Sequence, residues 1–304
     1  MKKQEKIFVI GHKNPDTDSI CSAIAYCDIK NRTTQDSKYI AKRAGQINEE
    51  TEYVLNRFGV QPPGYLSNIG TQVKDMDIRL SPEANKSMSL KNAWDLMQEN
   101  SIVSLPIREK DGTLEGLITI GDIAKTYMDT TDSYLLSRAR TQYQRIAETI
   151  GGKVIEGNAH GYFIQGKIMV ATANPDKMKE YVEENDMVIM GNREEDHLQA
   201  IEQNVSCIIV GLGIEVTEKV LKLAHEKDII IISSPYDTFT ISRLINQSIP
   251  VKYIMKTESL VTFNTEDFTD DIQDVMIKHR HRAFPVINKK GKCIGTISRR
   301  NFLD

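Results

Sequence analysis

Two stretches of the chain repeat one another at a fixed interval, and this repeat restricts the fold more than any other feature. The same interval of 179 residues separates the members of three pairs, Met97 and Met276, Pro106 and Pro285, and Thr119 and Ser298. Val73 and Val251 extend the repeat with a one-residue slip. A gapless register across a helix, two strands and a turn is rarely a chance event. Each copy is predicted to run helix, strand, turn, strand, helix.

The segment between the repeats, residues 134–247, alternates apolar runs with helical patterns. The runs at 167–171, 187–190, 207–210 and 229–232 are predicted to be strands. Helices are predicted at 215–226 and 238–246. Alternation of this kind predicts an α/β domain with a mostly parallel sheet.

The N-terminal segment carries a histidine and two carboxylates on a loop between a predicted strand and a predicted helix. The loop reads GHKNPDTDS, with His12, Asp16 and Asp18, and the helix is expected over 20–29. Asp16 and Asp18 are two residues apart, so an extended segment would point both the same way. Imidazole and carboxylate groups suit divalent cations, and two metals would favour phosphoryl hydrolysis. In the competing interpretation, Asp18 or Ser19 caps the helix.

Composition excludes several classes of partner. The chain has 304 residues, a net charge of −3 and a pI near 6.1, which argues against nucleic acid as a partner. It shows no apolar run of membrane-spanning length and no signal peptide, so no membrane partner is expected. Its four cysteines form no CxxC pair, which favours free thiols and a cytoplasmic location.

Residues 11–26, followed by GQINEETE at 45–52, resemble the N-terminal lobe of family II inorganic pyrophosphatases, which belong to the DHH phosphoesterase superfamily. The resemblance implies a Mn²⁺- or Co²⁺-dependent hydrolase that converts pyrophosphate, which enters with Mg²⁺, to two phosphates. It implies that His12 and Asp16 bind one metal and Asp18 the other. A metal-bridging water or hydroxide would then attack the substrate.

The two repeats resemble a pair of CBS domains, which often bind adenine nucleotides between them and associate as homodimers. The resemblance implies nucleotide contacts from a hydroxyl residue and a polar residue three positions later in each repeat, namely Thr119, Asp122, Ser298 and Asn301. The basic run Arg280-His281-Arg282 is expected to join them in one cleft, where His281 would stack on adenine. In the competing interpretations, Asp122 caps the next helix and the basic run is a solvated helix end.

Residues 134–247 resemble a DRTGG domain, with GNRE at 191–194 and VGLG at 210–213 near its usual motifs. In related enzymes, this insert is associated with the binding of diadenosine polyphosphates. The predicted order is a partial DHH-type lobe (1–66), a CBS domain (68–130), a DRTGG-like domain (134–247) and a second CBS domain (248–304). This order resembles pyrophosphatases that AMP or ADP inhibits and ATP activates.

Two alternatives stay open: a non-catalytic adenine-nucleotide sensor, and another DHH phosphoesterase. No DHH motif occurs in the sequence, and by the 179-residue interval residue 304 corresponds to Lys125, within the last helix of the first repeat. We therefore expect a second repeat that stops one turn into its last helix, a weak metal site, and no useful hydrolysis by this chain alone.

Overall fold

The computed structural model describes residues 5–34, 37–66, 70–128, 132–171, 179–279 and 281–302. The chain divides into two compact units, 1–71 and 72–304. Within the described ranges, no helix has both the length and the apolar character needed to cross a membrane. The predicted α/β class is confirmed in both units.

The first unit is a three-stranded parallel sheet in the order β1-β2-β3. Its elements are β1 (Glu5–Ile10), α1 (Thr17–Thr33), β2 (Ser37–Arg43), α2 (Glu49–Arg57) and β3 (Gly64–Tyr65). The first helix is longer at both ends than the expected 20–29. It begins at Thr17 because Asp16 caps it, and α2 begins where the Asn48 side chain accepts the N–H of Thr51.

The first repeat contains α3 (Leu90–Glu99), β4 (Ser104–Arg108), β5 (Leu114–Thr119) and α4 (Ile120–Met128). The strands pair antiparallel around a turn at Asp111-Gly112, where Gly112 has a φ of +89°. The order helix, strand, turn, strand, helix is therefore confirmed in this repeat.

The central domain is built on a five-stranded sheet. Its elements are α5 (Leu135–Arg138), β6 (Thr141–Gln142), α6 (Tyr143–Thr149), β7 (Lys153–Glu156), β8 (Tyr162–Phe163), β9 (Ile168–Val170), β10 (Met187–Met190), α7 (Glu194–Glu202), β11 (Cys207–Val210), α8 (Glu218–Glu226), β12 (Ile230–Ser233) and α9 (Thr238–Leu244). The strand order is β7-β12-β11-β10-β9, and only β7 runs antiparallel. Every residue of β10 and β11 is buried, as in a parallel sheet covered on both faces.

The second repeat contains β13 (Phe263–Asn264), α10 (Thr269–Lys278), β14 (Phe284–Ile287) and β15 (Cys293–Ile297). A 3-10 helix at Arg299–Phe302 follows β15, where the first repeat has the α-helix α4. The antiparallel pair β14-β15 matches β4-β5 of the first repeat.

The two repeats exchange the segments that precede them. Val73, ahead of the first repeat, packs in the core of the second repeat, and its N–H donates to the carbonyl of Asp267. Val251, ahead of the second repeat, packs in the core of the first, and its N–H donates to the carbonyl of Met88. This reciprocity gives the pair an approximate two-fold relation.

The apolar cores follow a different division. The first repeat and the central domain share one continuous core, in which Leu105 of β4 and Ile232 of β12 are both fully buried. The opposite face of the central sheet packs in a second cluster, with Val188 and Val210. The second repeat has a core of its own around Phe284.

Candidate functional sites

The loop between β1 and α1 brings His12 and Asp16 together. Asp16 Oδ1 accepts the backbone N–H of Ser19 at 2.9 Å and lies 3.4 Å from His12 Nε2. The pKa of the Asp16 carboxyl lies below its usual value, chiefly through the Ser19 hydrogen bond and further through the charge of His12. Both side chains are about 60% exposed, so the pair is open to a ligand from solvent.

Asp18 makes a contact of its own. Asp18 lies in the first turn of α1 and accepts the hydroxyl of Ser22 at 3.2 Å. The expectation of an extended segment carrying both aspartates is wrong, because the helix already begins at Thr17. The cap is Asp16 rather than Asp18 or Ser19.

Two glycines allow the loop its close contacts. A Cβ on Gly11 would lie 1.8 Å from Ser19 Oγ. A Cβ on Gly45 would lie 2.3 Å from the carbonyl oxygen of Lys13 and 2.7 Å from Pro15 Cδ. The loop is therefore held between the start of α1 and the segment that precedes α2.

The donor set of this loop suits a divalent cation only in part. An imidazole nitrogen and a carboxylate oxygen, as in His12 and Asp16, are ligands that Mn²⁺ and Co²⁺ accept. Across the described ranges, no group of three or more His, Cys, Asp or Glu side chains is placed to hold a metal ion. The residues of this chain could thus supply some ligands of a metal site but leave most positions to other groups.

A large cavity of about 1350 Å³ lies between the two repeats. The predicted residues His281, Arg282, Ser298 and Asn301 line it. We call it the inter-repeat cavity. Its other polar lining residues include Asp77, Arg79, Ser101, Ser104, Arg299 and Arg300.

The two hydroxyl-containing motifs adopt matching conformations at different places. Asp122 Oδ2 accepts the N–H and the hydroxyl of Thr119, at 2.9 and 2.6 Å, and the Thr119 hydroxyl faces the Asp122 N–H at 3.3 Å. Asn301 Oδ1 accepts the N–H and the hydroxyl of Ser298, at 2.7 and 2.9 Å. The first motif is a capping box at the start of α4. In this structure, Asp122 therefore makes the contacts of a helix cap.

The described residues that line this cavity are only part of the predicted nucleotide site. Thr119 and Asp122 are not among the residues that line the inter-repeat cavity. The two-fold relation places them at the equivalent position on the other side of the pair. There Lys256 Nζ lies 3.7 Å from Asp122 Oδ1, and the backbone of Lys256 pairs with Leu117 as that of Arg79 pairs with Thr296.

Two residues of the basic run lie at the wall of the cavity. The ring of His281 stacks on His279, with centroids 6.0 Å apart, and meets the edge of Phe284 at 5.8 Å. His281 and Arg282 line the cavity, whereas Arg280 lies outside the described residues.

Sequence reasoning missed Arg79, Arg299 and Arg300 as lining residues. Arg299 and Arg300 directly follow Ser298, so their proximity to that motif was a usable signal. Arg79 lies in the irregular segment ahead of the first repeat, and only the exchange of linkers brings it to the second repeat.

Comparison with known proteins supports this description. A CBS domain model matches residues 77–129 and 251–304, and a DRTGG domain model matches residues 145–248. The chain resembles the crystal structure of the CBS and DRTGG domains of the regulatory region of Clostridium perfringens pyrophosphatase, complexed with its activator diadenosine tetraphosphate. The TM-score is 0.72 at 33% identity, over 75% of this chain and 100% of that one. The chain belongs to the family of pyrophosphatases with CBS and DRTGG domains.

Curated relatives agree with this assignment. The cobalt-dependent inorganic pyrophosphatase of Clostridium perfringens is 36% identical over 97% of this chain and 54% of its own length. A probable manganese-dependent inorganic pyrophosphatase of Thermotoga maritima is 28% identical over 100% of this chain and 55% of its own length. The chain thus spans about half the length of these relatives. The predicted family and both predicted regulatory domain types are confirmed.

Proposed function

We propose that this chain serves a metal-dependent inorganic pyrophosphatase and regulates it through adenine nucleotides bound between the CBS repeats. The observation that carries the proposal is the cationic inter-repeat cavity beside the Ser298–Asn301 motif. It supports binding of a phosphorylated ligand because arginine guanidinium groups pair well with phosphate oxygens. The similarity to a regulatory region whose activator is diadenosine tetraphosphate supports the same class of ligand.

We assign the catalytic role of the chain to the loop after β1. His12 and Asp16 would hold one Mn²⁺ or Co²⁺ ion and Asp18 would face a second, with pyrophosphate arriving as its Mg²⁺ complex. Metal ions in such a site supply Lewis acidity and an activated water. The residues of the loop contribute by fixing the ligand atoms: the Ser19 N–H holds Asp16 Oδ1 beside His12.

Regulation would follow from nucleotides that bind one state of the pair better than another. We propose inhibition by AMP or ADP and activation by ATP or a diadenosine polyphosphate. The proposal includes a homodimer formed through the CBS repeats and a cytoplasmic location. All four cysteines are free, which supports a reducing compartment. Light scattering of the purified chain tests the dimer.

Thermal unfolding with nucleotides tests the regulatory role. A ligand that binds only the folded state stabilises it by about 2.7 kcal/mol at a hundredfold excess over its Kd. AMP, ADP, ATP and diadenosine tetraphosphate are therefore each expected to raise the Tm. Unchanged melting curves with all four would contradict nucleotide sensing.

A second candidate function is nucleotide sensing without catalysis. The observation that favours it is the meagre metal site, where only His12 and Asp16 come together among the described residues. Phosphate release from pyrophosphate is measured with Mn²⁺ for this chain and for a version extended through the downstream reading frame. Release by either protein supports a pyrophosphatase, and release by neither supports sensing without catalysis.

A further inference from the structure

A second cavity, of about 330 Å³, is formed by the first repeat and the end of the central domain. The helices α3 and α4 supply its apolar residues, and the 3-10 helix Ile245–Ser248 supplies two amide side chains. We call it the helix pocket. Among the described residues, it shares none of its lining with the inter-repeat cavity. Its volume lies at the lower end of the roughly 300–1,000 Å³ found for small-molecule pockets, which limits its ligand to a small molecule.

The aromatic wall of the helix pocket is not required by the fold of a repeat. Met97 and Met276, 179 residues apart, are both buried in the cores of their repeats. At the same interval, Trp94 corresponds to Gln273, which is exposed. Trp94 is 38% exposed and lines the pocket together with Tyr127. The second repeat therefore folds with a polar residue at the position where the first repeat presents an aromatic ring to the pocket.

Two amide side chains of the helix pocket have no partner. Asn246 and Gln247 are half-buried, and neither side chain makes a hydrogen bond within the described part of the chain. An amide group carries both a donor and an acceptor, and burying it without a hydrogen bond is unfavourable. A ligand with a hydrogen-bonding edge would satisfy both groups.

The charge at the helix pocket is already balanced. Lys91 is the one charged residue among the described residues that line it, and its ammonium group pairs with the carboxylate of Asp95. The hydroxyl of Thr126 is also engaged, since it donates to the backbone carbonyl of Asp122 at 3.0 Å. A charged ligand would find no free group of opposite charge here, so the lining favours an uncharged one.

We infer that the helix pocket binds a small, uncharged, flat molecule of one or two fused rings with a hydrogen-bonding edge. Its rings pack against Trp94, Ile123 and Tyr127, because aromatic groups pack favourably with other rings. The amides of Asn246 and Gln247 bond to its edge. This inference is independent of the nucleotide binding proposed above.

Fluorescence titration of the whole chain tests this inference, because Trp94 is the only tryptophan in the sequence. The probes are benzimidazole, which is uncharged at mildly alkaline pH, and 1-methylbenzimidazole, which lacks the N–H donor. Excitation uses a wavelength that neither probe absorbs. We expect benzimidazole to shift the Trp94 emission to shorter wavelength by displacing water, with a Kd of about 1 mM. We expect 1-methylbenzimidazole to bind about five- to tenfold more weakly, because one hydrogen bond is lost.

Matched variants identify the site. Ala124→Leu fills the pocket and should abolish the shift with both probes. Lys125→Leu places the same side chain on the next residue of α4, outside the lining, and should behave as the parent chain. Both positions are exposed, so both variants should keep the Tm of the parent chain. The double variant Asn246→Leu with Gln247→Met removes the amides at nearly constant shape and should bring the affinity ratio of the two probes towards one.

The contrary outcomes are distinct. No shift with either probe, or unchanged binding in Ala124→Leu, would overturn the inference. A ratio that the double variant leaves unchanged would overturn the roles given to Asn246 and Gln247. Emission of the parent chain that changes with protein concentration, without any probe, would place a second copy of the chain over the pocket and would also overturn it. None of these outcomes bears on nucleotide sensing, which the melting experiments test.

Discussion

At the scale of single residues, the loop after β1 depends on a glycine with no space for a side chain. The Cβ added by Gly45→Ala would lie 2.3 Å from the carbonyl oxygen of Lys13. This backbone atom cannot move away by a change of rotamer, as a flexible side chain can. We expect a loss of about 1–3 kcal/mol in stability, as for other overpacked sites. Thermal melts followed by circular dichroism provide the measurement. Gly191→Ala is the control, since nothing lies within 4 Å of its added Cβ. Equal melting of the two variants would contradict the tight contact.

Asp16 has two separable roles, as helix cap and as metal ligand. Asp16→Asn keeps an oxygen that can accept the Ser19 N–H, whereas Asp16→Ala does not. We therefore expect a lower Tm for Asp16→Ala than for Asp16→Asn, and weaker Mn²⁺ binding for both. Metal titrations followed by electron paramagnetic resonance report the second effect. A nanomolar Mn²⁺ site in the parent chain would contradict the weak site expected here.

The protonation of Asp16 also sets a pH dependence for the cap. Its pKa in the folded chain lies below the ordinary value of 3.8, so the unfolded chain binds the proton more readily. The stabilisation from this carboxylate is therefore present at neutral pH and is lost as the pH falls through the folded pKa. The Tm difference between the parent chain and Asp16→Ala should shrink below about pH 4. A difference that grows on acidification would contradict this sign.

At the scale of elements, the start of α4 and the 3-10 helix after β15 use the same turn with different side chains. Asn301→Asp gives the second repeat the residue of the first, but it removes the Nδ2 donor to the carbonyl of Asp77. We expect a loss of about 1 kcal/mol in stability for that hydrogen bond. Asp122→Asn keeps both acceptor bonds to Thr119 and affects only the ion pair with Lys256, so its loss should be smaller. Urea unfolding measures both, and the reverse order would contradict this account.

Local patterns predicted most elements because each depends on neighbouring residues. The strands β10 and β11 are apolar runs in the sequence. The elements of one repeat could also be compared with those of the other, 179 residues away. The sequence did not predict that Thr119 and Asp122 are absent from the lining of the inter-repeat cavity. Their position follows from the two-fold relation between the repeats. Arg79 had no local signal, since a segment far away in sequence brings it to the cavity. The position of Asp16 as cap was missed because metal ligation and capping favour the same residue type.

At the scale of the whole molecule, we expect the 304-residue chain to release no phosphate from pyrophosphate at a rate near the roughly 10 s⁻¹ typical of enzymes. Among the described residues, only His12 and Asp16 are brought together at this loop, and the first unit contributes three strands. A colorimetric phosphate assay with Mn²⁺ provides the measurement. Strong turnover that Asp16→Ala abolishes would show that this chain holds a complete site.

The exchange of linkers has a consequence for the order of folding during synthesis. Val73 packs with residues of the second repeat, and its N–H donates to the carbonyl of Asp267, so this contact waits until the ribosome has made nearly 200 further residues. At about 5–20 residues per second this delay lasts roughly 10–40 s. The parallel strands of the central domain are complete before the second repeat emerges, and we expect that domain to form first. The apolar side chains of this segment, Val73, Met76 and Ile78, then stay without their core until the last strand arrives. The nascent chain, rather than the finished protein, is therefore the form most vulnerable to aggregation.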